Sequence, residues 1–97
     1  MTYLLKFTTT DDNVNNRIFQ YDGSMTIQNM LSDFLRTTNS KFTLDANAIV
    51  FQYHAFLLNK GENLTKTVAD IFKKNTKNVA IKVTDYQKVI GGKKKKL

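Results

Sequence analysis

The chain has 97 residues, enough for one domain and too few for two. Its hydrophobic content of 41%, with seven Phe and four Tyr, suits a modest folded core, and the absence of Cys excludes a disulfide framework, a thiolate zinc site and a thiol nucleophile. The net charge is +7, but Lys88 and Lys93 to Lys96 supply five of those positives, so residues 1–87 carry 10 basic against 8 acidic side chains. A basic face for nucleic acid spread over the folded body is therefore not expected.

Thr2 to Thr10 alternates, with Tyr3, Leu5 and Phe7 on one side and Thr2, Lys6 and Thr8 on the other. Period two predicts a half-buried strand, with Leu4 as an apolar group on the outer side. Asp11 to Asn16 is rich in side chains that bond nearby backbone and reads as a turn. Arg17 to Tyr21 then predicts a second strand with Phe19 and Tyr21 inward, closing an N-terminal hairpin.

After Asp22-Gly23-Ser24, Thr26 is the expected N-cap of a helix. Ile27, Met30, Leu31, Phe34 and Leu35 fall at i, i+3, i+4, i+7 and i+8, one continuous apolar stripe. The helix is expected to fade near Thr37-Thr38-Asn39-Ser40. Ala48 to Tyr53 predicts a third strand with Ile49 and Phe51 inward and Val50 outward, and Ala55 to Leu58 a short fourth. Val68, Ile71 and Phe72 have helical spacing for one or two turns. Asn78 to Thr84 predicts a fifth strand with Val79, Ile81 and Val83 inward and Ala80 and Lys82 outward.

Strands on both sides of one long helix imply an α+β domain, a mixed five-stranded sheet packed on one main helix plus a short second helix. The first and last strands are expected to pair in parallel at the sheet centre, which accounts for the Val and Ile of the fifth. The domain is expected over residues 1–85, with 86–97 a flexible tail holding Gly91-Gly92 and the lysine run. No apolar run approaches the ~18–20 residues needed to cross a bilayer. The alternating N-terminus is unlike a signal peptide, so a soluble, cytoplasmic and/or nuclear protein is expected, with no membrane partner.

Several segments resemble the ubiquitin family. Thr26-Ile27-Gln28-Asn29-Met30 looks like that family's capped helix start, Ile49-Val50-Phe51 resembles its third strand, and Val68-Ala69-Asp70-Ile71 resembles its short helical turn. Val79-Ala80-Ile81-Lys82-Val83 followed by Gly91-Gly92 looks like its last strand and C-terminus. Tyr86-Gln87-Lys88-Val89-Ile90-Gly91-Gly92 is similar to the tail of SUMO-type members. The resemblance covers residues 1–92 and implies the ubiquitin-like β-grasp fold. Three features depart from it: an insertion over Asn59 to Thr67, Ala80 and Lys82 where a His and a Val would stand, and His54 in place of the most used chain-linking lysine.

The resemblance implies a role for Gly91 and Gly92. In conjugated members the diglycine threads a narrow channel of the activating enzyme, where side chains would block passage. Here it is followed by Lys93-Lys94-Lys95-Lys96-Leu97, as in precursors that a protease trims after the second glycine. The plain alternative is a loose linker.

The lysines Lys88, Lys93, Lys94, Lys95 and Lys96 can neutralise phosphates, about one each, and so attract RNA or another polyanion in a salt-sensitive way. A diglycine followed by basic residues also resembles the ubiquitin-like domain of an RNA-binding splicing-factor subunit. Against this stand a solubilising tail and an import signal.

The third candidate is the outer sheet face, Leu4, Val50, Ala80 and Lys82 with Tyr53 and His54 near its rim, which in this family binds partners. Scattered exposed apolar groups are ordinary on any protein. A lone His is not a metal site, and no nucleophile–base pair, phosphate loop or carboxylate dyad suggests catalysis or a cofactor.

The expected function is a protein modifier processed after Gly92 and joined to target lysines. Its partners would be activating and conjugating enzymes and a processing protease. The alternative is a non-covalent ubiquitin-like interaction subunit of a larger complex, its tail uncut, with contact to RNA or another polyanion through Lys93 to Lys96 as an additional option.

Overall fold

The computed structural model describes residues 1–9, 12–15, 17–38 and 48–85. Its elements are β1 (Thr2–Thr8), α1 (Asp12–Asn15), β2 (Phe19–Asp22), α2 (Ile27–Thr37), β3 (Ile49–Tyr53) and β4 (Phe56–Leu57). A 3-10 helix (Gly61–Thr65), α3 (Val68–Phe72) and β5 (Val79–Asp85) complete the order. They form an α+β unit in which a five-stranded mixed sheet, ordered β2-β1-β5-β3-β4, packs on one main helix and a short second one.

The alternation of β1 places Tyr3, Leu5 and Phe7 in the core. Its outer neighbours are β2, antiparallel with Leu5 opposite Phe19, and β5, parallel with Leu5 opposite Val79 and Phe7 opposite Ile81. The central pair is thus parallel, and Val79 and Ile81 are buried. Val83 is only half-buried, packed at the margin of the core.

Helix α2 lies on the inner face because its apolar stripe has nowhere drier to go. All five stripe residues, Ile27, Met30, Leu31, Phe34 and Leu35, are buried. Each contributes about 1.5–3 kcal/mol relative to exposure. Phe34 stacks on Phe7 with ring centroids 3.9 Å apart, and Phe19 and Phe51 meet it edge-on at 5.2 and 5.7 Å. The Thr26 hydroxyl accepts the Asn29 N–H at 3.2 Å, and the Thr38 N–H returns to Phe34 O at the other end.

Three segments differ from the sequence expectation. Asp12–Asn15 is one helical turn rather than an open turn. The Asn15 carboxamide grips Thr9, accepting its N–H at 2.6 Å and donating to its carbonyl at 3.0 Å, while Val14 tucks into the core. Strand β2 starts at Phe19, leaving Arg17 and Ile18 exposed. No helical element was expected within Asn59 to Thr67, where the chain forms the 3-10 helix and Leu64 packs against the core.

Gly23 is a position where only hydrogen fits. A Cβ there would lie 2.9 Å from Cε1 of Tyr3, a ring already fixed against Phe72 and bonded through its hydroxyl to Lys73 O. Overpacking of this kind forces shifts in neighbours that have little room to move.

Candidate docking face

Outward positions follow from strand parity. On β1 they are Thr2, Leu4, Lys6 and Thr8, and on β5 Ala80, Lys82 and Thr84. On β3 they are Val50 and Gln52. Register places Lys6 beside Ala80 and Thr8 beside Lys82 across the parallel pair. Gln52 stands on the other side of Lys82, and Val50 stands beside Thr84.

The face expected from sequence is therefore divided. Ala80, Lys82 and His54 come together: with Thr8, Gln52 and Ile81 they line one shallow depression. Leu4 does not reach them. It lies one residue before Leu5, which is level with Val79, whereas Val50 is level with Thr84. At about 3.3 Å per residue the two apolar side chains stand roughly 20 Å apart along the strands. They do not form one patch.

Tyr53 is placed differently from the expectation. It shares the parity of Ile49 and Phe51, so its ring enters the core and is buried. There it meets Phe72 edge-on at 4.8 Å, and its hydroxyl accepts a hydrogen bond from Asn75 Nδ2 at 3.1 Å. Val50 has outward parity but is buried as well. Leu4 is half-buried.

His54 is the first of two residues joining β3 to β4 and adopts φ 51°, the left-handed region that glycine usually fills. Its carbonyl accepts the Gln52 side-chain amide at 3.0 Å, and its ring leans on the edge of Tyr53 at 4.4 Å. The first contact holds the turn and the second the imidazole, at the rim of the depression.

The charge on this face is one-sided. Lys6 and Lys82 are exposed, and neither enters an ion pair among the described residues. The one acidic side chain described with this parity, Asp22, sits at the β2 corner beside Thr2. It is already committed there, because the Ser24 hydroxyl and backbone N–H and then the Met1 ammonium at 3.6 Å hold its carboxyl below the usual range. The centre of the face offers donors: two ammonium groups and the Thr8 hydroxyl.

Lys6, Thr8 and Gln52 were not singled out from sequence, although period two already assigns Lys6 and Thr8 outward. The missing information was register. Gly91, Gly92, Lys88 and Lys93 to Lys96 lie outside the described residues. Among the described residues no three His, Cys, Asp or Glu side chains gather as a metal site, and no helix is long and apolar enough to cross a membrane. Compared with known proteins, the chain matches no family model and no curated sequence.

Proposed function

We propose that the chain is a ubiquitin-like protein of the β-grasp type, which works as a modifier joined through Gly92 to lysines of target proteins. The observation that supports this best is the sheet order β2-β1-β5-β3-β4, with a parallel β1–β5 centre and α2 laid across the inner face. That arrangement is the one implied by the family resemblance. The second support is position. Gly91-Gly92 comes a short stretch after β5, as a diglycine must if it is to reach an enzyme channel while the domain stays folded.

In this reading a protease removes the residues beyond Gly92, and an activating enzyme adenylates the freed carboxylate. Adenylation by ATP releases pyrophosphate; the acyl group then passes to an enzyme thiol as AMP leaves, and from the thioester to the target amine, which loses a proton as the thiol is released. The chain supplies the acyl group and a folded surface; the chemistry is carried by the enzymes. Partners would recognise the joined domain through the outer face of the sheet.

A second reading is favoured by the four lysines directly after the diglycine. There the tail stays uncut, the domain docks non-covalently in a larger complex, and the lysines contact RNA or another polyanion. Expression of epitope-marked protein in its native cells separates the two. A ladder of heavier adducts that vanishes with Gly92→Ala supports the modifier. A single species unchanged by Gly92→Ala, with Gly92 still bonded to Lys93, contradicts it.

A further inference from the structure

We propose that the outer face formed by β1, β5 and β3 binds an acidic peptide segment of a partner protein, with Lys6 and Lys82 as its anchoring cations. The inference rests on the reading of this face as the docking surface and adds the chemistry of the segment that docks.

Three observations carry it. Lys6 and Lys82 are diagonal neighbours on adjacent parallel strands, since Lys6 pairs with Ala80 and Lys82 with Thr8. Like charges this close on one sheet face repel, and a fold shaped by stability alone would alternate them with carboxylates. Neither lysine has such a partner among the described residues. Second, Lys82 borders a depression whose other walls include Thr8, Gln52 and His54, with the small Ala80 among them. A carboxylate entering beside Ala80 would meet the Lys82 ammonium and the Thr8 hydroxyl together, the mixed ionic and neutral donor set that suits an acceptor-only group. Third, the apolar residues expected here, Leu4 and Val50, are separated and at least half-buried, so a hydrophobic partner has little to grip.

RNA is the competing occupant, and the face suits it less. Single strands are held by aromatic stacking together with a basic track. The Phe and Tyr rings of the three strands, Tyr3, Phe7, Phe51 and Tyr53, are all buried in the core. Two lysines neutralise only about two phosphates.

The test is an NMR titration of the full chain with a synthetic Asp/Glu-rich peptide, with its Asn/Gln counterpart and with a homopolymeric RNA. Amide shifts clustered on Lys6, Thr8, Gln52, Ala80 and Lys82 are expected for the acidic peptide alone. Lys6→Glu with Lys82→Glu should weaken binding by about tenfold, while Lys82→Arg should bind as the parent does. Replacing Lys93 to Lys96 by Gln should leave this affinity unchanged. A dispersed spectrum for each variant confirms that it is folded. Shifts centred instead on Lys73, Lys74 and Lys77 or on the tail would overturn the proposal. So would equal binding of the neutral peptide, preference for RNA at this face, or no binding at all. Gly92→Ala must bind the acidic peptide normally; a parent chain that binds the peptide but forms no adducts in cells contradicts only the modifier reading, and one that forms adducts but does not bind the peptide contradicts only this one.

Discussion

Thr26 and Thr67, the N-caps of α2 and α3, pair with each other as an isolated antiparallel bridge. The Ile27 N–H donates to Lys66 O and the Val68 N–H to Met25 O, each at 2.8 Å. Two helix starts that would each leave orphan donors thus satisfy one of them from the strand-like approach to the other. Thr67 adds a capping box with Asp70, both hydrogen bonds being 3.1 Å. This junction fixes α3 against the start of α2 and orders the segment before it.

Each cap hydroxyl should be worth about 1 kcal/mol, measured by chemical denaturation of Thr26→Ala and Thr67→Ala. The two sites touch, so the double variant should depart from the sum of the single ones by about 0.5 kcal/mol or more. Strict additivity would show that the bridge does not couple the helices.

The buried Tyr21 hydroxyl lies near the Asp33 carboxylate but makes no hydrogen bond of ordinary geometry among the described residues. Burial first, and then the nearby Asp33 carboxylate, raise its pKa well above the ordinary phenol value. The protonated form is therefore favoured in the folded state. Its contribution is fully present below the unfolded value of about 10 and is lost as pH rises from there toward the folded pKa. Tyr21→Phe keeps the ring packing and removes the unpaired group. Near pH 7 it should be neutral or stabilising by up to about 1 kcal/mol, and its stability should fall less than the parent's above pH 10. A loss of more than about 1 kcal/mol at neutral pH would reveal a partner for the hydroxyl.

Asn59 is buried and polar, and its carboxamide completes β3. Nδ2 donates to Ile49 O at 2.7 Å, and Oδ1 accepts the Phe51 N–H at 3.1 Å. Strand β4 is too short to serve those groups. Asn59→Ala strands a donor and an acceptor in the interior and should cost about 2–4 kcal/mol in denaturant unfolding. Asn59→Asp keeps the acceptor but sets a carboxylate against Ile49 O, and should be at least as damaging. A change within about 0.5 kcal/mol for both would contradict the role assigned to the amide.

Much of the fold was legible because its signals are local. The Ile27 stripe, the alternation of Tyr3, Leu5 and Phe7, and the Thr26 cap are each written within a few residues, and each element formed where expected. Asn59 was not legible, since its meaning depends on backbone groups eight and ten residues away across a reversal of the chain. The 3-10 turn was missed for a related reason: Gly61 to Thr65 lacks apolar periodicity, and Leu64 alone ties it to the core. For the docking face, parity placed Ala80 and Lys82 correctly. Register then separated Leu4 from Val50, and the odd–even count of β3 sent Tyr53 inward. Faces are written in a strand's own sequence; neighbours are written only in its pairing.

The central claim is covalent transfer through Gly92, and one digest tests it directly. Lys88 is the last tryptic site before the diglycine, so trypsin acting on a conjugate would leave Val89-Ile90-Gly91-Gly92 attached to a target lysine. Mass spectrometry of affinity-purified material from native cells is expected to find this four-residue remnant as an isopeptide branch on other proteins, and to lose it with Gly92→Ala. Recovery only of linear peptides in which Gly92 continues into Lys93, with no branched peptide, would contradict the account.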